Sequence, residues 1–228
     1  MKRNITLLGL FIFLFSFLKL NAQNFELGKV SIAELKEKLH PEDSSAVAAI
    51  LFKNGKTSFE YTKNRGFVAI TEVSMRIKIY KKEGYDWANF TVPYYVGYEN
   101  YNDDAVAFSS AATYNLVNGS IVKTKLNSEG TFKKNVNEYW NEASITLPNV
   151  KEGSIIEFKY VLKTENIVKF PVFYFQYKIP VNSAEYTTNI PLFFTYKPIQ
   201  IGYIDLKADS KVVNGSFSFD NEHHQSVN

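Results

Sequence analysis

"FVAITEVSMRIKI", residues Phe67–Ile79, sets the fold class. Phe67, Ala69, Val73, Met75, Ile77 and Ile79 alternate with Glu72, Ser74, Arg76 and Lys78. Successive side chains of a strand point to opposite faces, so this pattern predicts a half-buried strand with its charged residues in water. "SIIEFKYVLK" repeats the pattern, with Ile156, Phe158, Tyr160 and Leu162 on one face and Glu157, Lys159 and Lys163 on the other. Asn-Gly occurs three times between strand-like runs: Asn54-Gly55, Asn118-Gly119 and Asn214-Gly215. Tight hairpins need positive φ at both central residues, which Asn and Gly tolerate best, so three hairpins are expected. Further turns are expected at "NVKEGS" and "KKEGYD". The fold class that follows is all-β and antiparallel.

Working outward, one helix is expected, over Ser31–Leu39 in "VSIAELKEKLHP". Ser31 and Glu34 form a capping-box pair, Val30 and Leu35 a hydrophobic staple, and Pro41 a stop. Ile32, Leu35 and Leu39 share one face, which makes the helix amphipathic. Upstream, "MKRNITLLGLFIFLFSFLKLNAQ" has a basic start, an apolar run and a small residue, Ala22, at a cleavage position. That is the layout of a secretory signal, expected over residues 1–22, and the chain is expected to be exported to the periplasm or cell envelope. Contact with a membrane is then expected only through an uncleaved signal. A leader over 23–45 and a β domain over 46–228 complete the expected organisation.

The formal charge of +3 is the contribution of Lys2, Arg3 and Lys19, all in the signal segment, which holds no acidic residue. The remainder has no net charge, which gives no support to nucleic-acid binding. Cysteine is absent from all 228 residues. Disulfides, thiolate metal sites and a cysteine nucleophile are thereby excluded. The three histidines are His40, near a helix end, and the adjacent His223 and His224. Neighbours in a strand point apart, and a zinc site needs three or four convergent ligands, so no metal and no cofactor is expected. Neither a phosphate-binding glycine loop nor a Gly-x-Ser-x-Gly elbow is present.

Two aromatic stretches carry the functional candidates. "FPVFYFQYKIPV", Phe170–Val181, places Phe170, Val172 and Tyr174 on one strand face and Phe173, Phe175 and Tyr177 on the other. A strand apolar on both faces is covered on both, here by the Ser31–Leu39 helix or by a further domain. Phe170, Phe173, Phe175 and Tyr177 are therefore candidate interdomain contacts. "VPYYVGYENYNDDA", Val92–Ala105, interleaves Tyr94, Tyr95, Tyr98 and Tyr101 with amides and carboxylates. Aromatic bodies with polar tips suit half-wet sites, so these four tyrosines are candidate ligands for a glycan or peptide. The plainer expectation is an edge strand and turn with partly buried tyrosines.

"RIKIYKKEGYDWA", "TYNLVNGSIVKTKL", "LPNVKEGSIIEFKY" and "FPVFYFQYKIPVNSAEYTTNIPLFFTY" occur in an order that resembles one family. It is the β-rich N-terminal domain of unknown function that precedes transglutaminase-like domains in exported bacterial proteins. The resemblance covers roughly Ser45 to Tyr203; where a tryptophan is common before the Phe-Gln pair, this chain has Phe173-Tyr174. The resemblance implies an antiparallel β-sandwich and a C-terminal partner domain with a papain-like Cys-His-Asp triad. None of that triad's motif can be carried onto this cysteine-free chain. The expected role is a non-catalytic accessory domain that packs against a catalytic domain, or positions substrate for it, in cis or as a separate protein. The alternative is a free-standing carbohydrate- or peptide-binding module; a third reading is a hydrolase without a recognisable motif.

Overall fold

The computed structural model describes residues 25–202 and 205–208, and the backbone of 214–219 and 222–227. The expected signal segment and the side chains of His223 and His224 lie outside these residues. The molecule is mostly β. Eleven strands occur among the described residues: β1 Ala48–Thr62, β2 Gly66–Ile79, β3 Asn89–Tyr95, β4 Ala105–Val117, β5 Ser120–Lys125, β6 Thr131–Asn135, β7 Trp140–Thr146, β8 Ile155–Thr164, β9 Ala184–Thr188, β10 Asn214–Phe219 and β11 Glu222–Val227. The main sheet runs β5-β4-β8-β2-β1-β9, a second runs β3-β7-β6, and β10 and β11 form a separate hairpin.

Met75, Ile77 and Ile79 of β2, with Ile156 and Phe158 of β8, share a buried cluster with Ile145 of β7, Ala88 and Leu147. Tyr160 and Leu162 join further apolar contacts on the same face, where Val106 and Leu162 meet Val92 and Ala143. The alternation in β2 and β8 thus points one apolar face of the main sheet at the three-stranded sheet.

The opposite face is only partly wet: Glu72 and Lys159 pair at 2.7 Å with partly exposed side chains, but the other end is covered. Arg76, Lys78 and Glu157 are each at most 1% exposed. Residues 25–40 lie across them as a strap. Arg76 donates to Glu157 Oε1 from Nε at 2.6 Å, to Glu34 Oε1 at 2.7 Å, and to the carbonyls of Glu26 and Lys29. Gly28 N–H donates to the other Glu157 oxygen at 2.8 Å. Lys78 Nζ donates to the carbonyls of Leu35 and Gly153. The expectation that these charges face solvent is overturned because each finds a partner in a segment distant in sequence.

The helix is shorter than its pattern. It spans Ile32–Lys36 (α1), with both capping-box bonds formed between Ser31 and Glu34. Glu37 leaves helical geometry at ψ 119. Lys78 accounts for this by taking the Leu35 carbonyl, one of the acceptors left open at a helix end. Leu35 is buried with Val30 packed nearby, whereas Ile32 and Leu39 are exposed, so the expected three-residue face reduces to one anchor. His40 lies beyond the helix: its Nδ1 accepts from Asp43 N–H, which leaves Nε2 to donate to Asn182 Oδ1 at 2.9 Å.

Of the three Asn-Gly pairs, one turns. Asn118 and Gly119 take φ of 50° and 79° and close the β4–β5 hairpin. Asn54-Gly55 lies inside β1, and Asn214-Gly215 opens β10. The β1–β2 reversal falls instead at Lys63–Gly66, where Gly66 has φ 68°. "NVKEGS" does turn, with Asn149 and Gly153 at positive φ, and Lys82–Ala88 within and after "KKEGYD" is a 3-10 helix.

Candidate functional site

Phe170–Val181 is not a strand. It is the irregular middle of an apron, residues 165–183, that connects β8 to β9 across the sheet edge. This crossing makes β9 run parallel to β1, against the antiparallel expectation; Val181 contributes only an isolated bridge to Ile50. Gly55 explains the position of the apron. A Cβ there would come within 2.5 Å of the Phe173 and Tyr186 rings, so the glycine inside β1 is a recess for two aromatics.

Lys53, two residues earlier and on the same face, pins the apron. Its Nζ donates to the Tyr174 carbonyl at 2.9 Å and to the Tyr177 hydroxyl at 2.7 Å, and lies 3.9 Å from the Phe173 ring centroid. Burial pushes this ammonium down to about 8. Ring contacts continue along the edge: Phe173 on Phe175 and Tyr186, Tyr177 on Trp87, Phe170 on Phe59 and Tyr196. At the start of the apron Glu165 accepts from the Asn102 amide groups at 2.9 and 2.6 Å and pairs with Arg65. The Asn102 bonds, with Arg65, hold this carboxyl down to about 2.

The four predicted contact residues, Phe170, Phe173, Phe175 and Tyr177, are therefore half-buried within the chain. The outward side of the apron belongs to Val172 and Tyr174, 66% and 62% exposed. Val168, Leu192, Ile199 and Ile201 extend this exposed apolar character through the residues flanking β9.

The predicted tyrosines divide. Tyr94 points into the core with Val92, Val106 and Ala143, and is removed from the candidate site. Tyr95, Tyr98 and Tyr101 stay together and are joined by Tyr139, from the turn between β6 and β7, and by Trp140, the first residue of β7. The β3–β7 register places Tyr95 opposite Trp140. Ring centroids lie 5.8 Å apart for Tyr101–Tyr98, 4.7 Å for Tyr98–Tyr95, 5.2 Å for Tyr95–Trp140 and 6.3 Å for Tyr95–Tyr139. The Val96 N–H donates to the Tyr139 carbonyl, tying the two loops together. Asn137 Oδ1 accepts from both Tyr139 N–H and Trp140 N–H. Beneath them Asp104 accepts from Tyr95 N–H, and burial pushes its carboxyl up. Sequence reasoning missed Tyr139 and Trp140, because nothing local connects them to residues about forty positions away.

A crystal structure described as "a putative protease from Parabacteroides distasonis ATCC 8503" aligns with 64% of this chain at 14% identity and a TM-score of 0.49. This chain spans 29% of that one. No curated protein matches the sequence. Residues 69–203, more than half of the chain, match the family described as a domain of unknown function with solved structure, DUF3857, and the protein belongs to that family.

Proposed function

We propose that this protein is a non-catalytic contact module, an exported β-sandwich that packs against a transglutaminase-like catalytic domain and holds it or its substrate in position. The observation that carries the reading is the apron. It packs on Lys53 and Gly55 of β1 with Phe170, Phe173, Phe175 and Tyr177 half-buried, and leaves Val172 and Tyr174 exposed. Large apolar side chains held out from a packed segment support a contact site. The cysteine-free sequence supports assigning thiol chemistry to the partner.

Lys169 and Lys178 are exposed at the two ends of the aromatic run, which makes trypsin a local probe. The isolated chain should be cut after both. With the transglutaminase-like domain supplied in cis or in trans, both sites should be protected. Tyr174→Asp together with Val172→Asp should abolish that protection while leaving the circular dichroism spectrum unchanged. Undiminished cleavage in the presence of the catalytic domain would reject the reading, as would enzyme-like turnover by the isolated chain.

A further inference from the structure

We infer that the cavity between the β4–β5 hairpin, the strap and the loop before β6 is a binding site for a phosphate monoester, a small molecule with a phosphoryl head on an apolar body. It lies at the β5 end of the main sheet, opposite the β1–β9 end that carries the apron.

The backbone builds the cavity. β4 bulges between Ser109 and Ala112, where Ser110 takes φ 54°, and the regular ladder with β8 is interrupted. Beyond the bulge Ala112 and Tyr114 pack with Leu35 of the strap and Ile155. The β4–β5 register sets Lys125 opposite Ala112 and Lys123 opposite Tyr114, so both lysines share that face. Leu27 and Gly28 of the strap form a further wall. The cavity measures about 480 Å³, within the range of small-molecule sites.

Its charge is one-sided. Lys123 and Lys125 line it and enter no ion pair, and no carboxylate lines it among the described residues. Ser109, Ser110, Ser128 and Thr131 add hydroxyls. A buried group of the lining also lacks a partner: Tyr114 is 3% exposed, and its hydroxyl makes no hydrogen bond. Burial pushes this phenol up, so it stays a donor. The two oxygens of neighbouring Glu157 are already taken by Arg76 and Gly28. Lys123 Nζ lies over the Tyr114 ring, 5.2 Å from its centroid. An anion that draws this ammonium outward gives the orphaned hydroxyl an acceptor, which a buried donor calls for.

These features select the ligand. Two cations match a doubly charged phosphoryl head, whereas a carboxylate or a sulfate ester brings one charge. Point-charge ammonium groups suit phosphate, while the planar fork that favours a lone carboxylate belongs to arginine, and no arginine lines the cavity. Leu27, Phe108 and Leu126 supply apolar surface for the body of the ester.

The test titrates the full chain calorimetrically with phenyl phosphate, phenyl sulfate, benzoate, inorganic phosphate and an aspartate-rich peptide. Phenyl phosphate should bind at millimolar concentration, more tightly than each of the others. Lys123→Gln and Lys125→Gln should each weaken it about tenfold, the usual loss of a hydrogen bond to a charged group, with unchanged thermal midpoints because both side chains are exposed. Tyr114→Phe keeps the ring and removes only the hydroxyl. It should weaken binding about threefold or more without lowering the thermal midpoint. Absence of phenyl phosphate binding at millimolar concentration overturns the proposal. So does equal or tighter binding of phenyl sulfate, benzoate, inorganic phosphate or the peptide, or binding that either lysine substitution leaves intact. Unchanged affinity in Tyr114→Phe overturns it too, since the hydroxyl would then be a packing defect alone.

Discussion

At the scale of single residues, this sheet is unusual in where it places its lysines. Lys53 and Lys78 both point into protein, and burial pushes each down to about 8 from an ordinary 10.5. Below pH 8 the ammonium is present in folded and unfolded chains alike, and its desolvation weighs against folding. Between pH 8 and 10.5 the unfolded chain holds protons that the folded chain has released, so raising the pH favours the fold. Buried tyrosines act in the opposite sense. Tyr177 is pushed up to about 12 by burial, and Tyr80 and Tyr160 are also raised. Above pH 10 the unfolded chain sheds phenolic protons that the folded chain keeps. Stability in urea should therefore rise from pH 8 to about 10 and fall beyond it, and Lys53→Met should flatten the rise. A monotonic decline from pH 7 upward would contradict this placement of the lysines.

At the scale of elements, the same dipeptide does two different jobs. Asn118-Gly119 turns a hairpin because both residues adopt positive φ. Asn54-Gly55 stays in β1, where the missing side chain lets Phe173 and Tyr186 approach the strand. Gly55→Val leaves the strand pattern intact but drives methyl groups into those two rings. It should destabilise the protein by about 1–3 kcal/mol, the usual cost of overpacking. The apron should loosen first, seen as faster trypsin cleavage after Lys178 at temperatures where the β4–β5 hairpin still resists amide exchange. Equal loosening of both elements would mean that Gly55 does not position the apron in particular. The short α1 follows similar logic: its start was readable from Ser31 and Glu34, but its end was set by Lys78, more than forty residues away.

For the whole molecule, the two faces of the main sheet are covered by different means, the second only over the Arg76–Lys78 end. The three-stranded sheet and the apron share one face through apolar contacts; the strap holds the other through Arg76, Lys78 and Glu157. Removing one partner of a buried ion pair leaves the other charge uncompensated. Arg76→Ala should cost about 3–5 kcal/mol by that mechanism, and residues 25–40 should exchange amide hydrogens much faster than in the parent protein. An Arg76→Met, Glu157→Leu double variant should recover much of the loss, since an apolar pair leaves less unpaired charge. Retention of full strap protection in Arg76→Ala would show that buried Leu35, and Phe25 stacked on Phe52 of β1, hold the strap without it.

Local chemistry was legible in the residues themselves. Period-two alternation marked β2 and β8, positive-φ residues marked the 118–119 turn, and a capping box marked the start of α1, because each depends on neighbours a few positions apart. Tertiary structure alone decided that the Arg76–Lys78 end of the charged face of β2 is also dry, since the partners of Arg76 and Lys78 come from a strap that periodicity cannot place. It also turned Phe170–Val181 from an expected strand into an apron, whose rings and Tyr174 carbonyl pack on Gly55 and Lys53 from the face of β1. The aromatic cluster around Tyr95 divides the same way. Tyr95, Tyr98 and Tyr101 are neighbours along the chain, whereas Tyr139 and Trp140 reach them only through the β3–β7 register, a long-range pairing that no local pattern encodes.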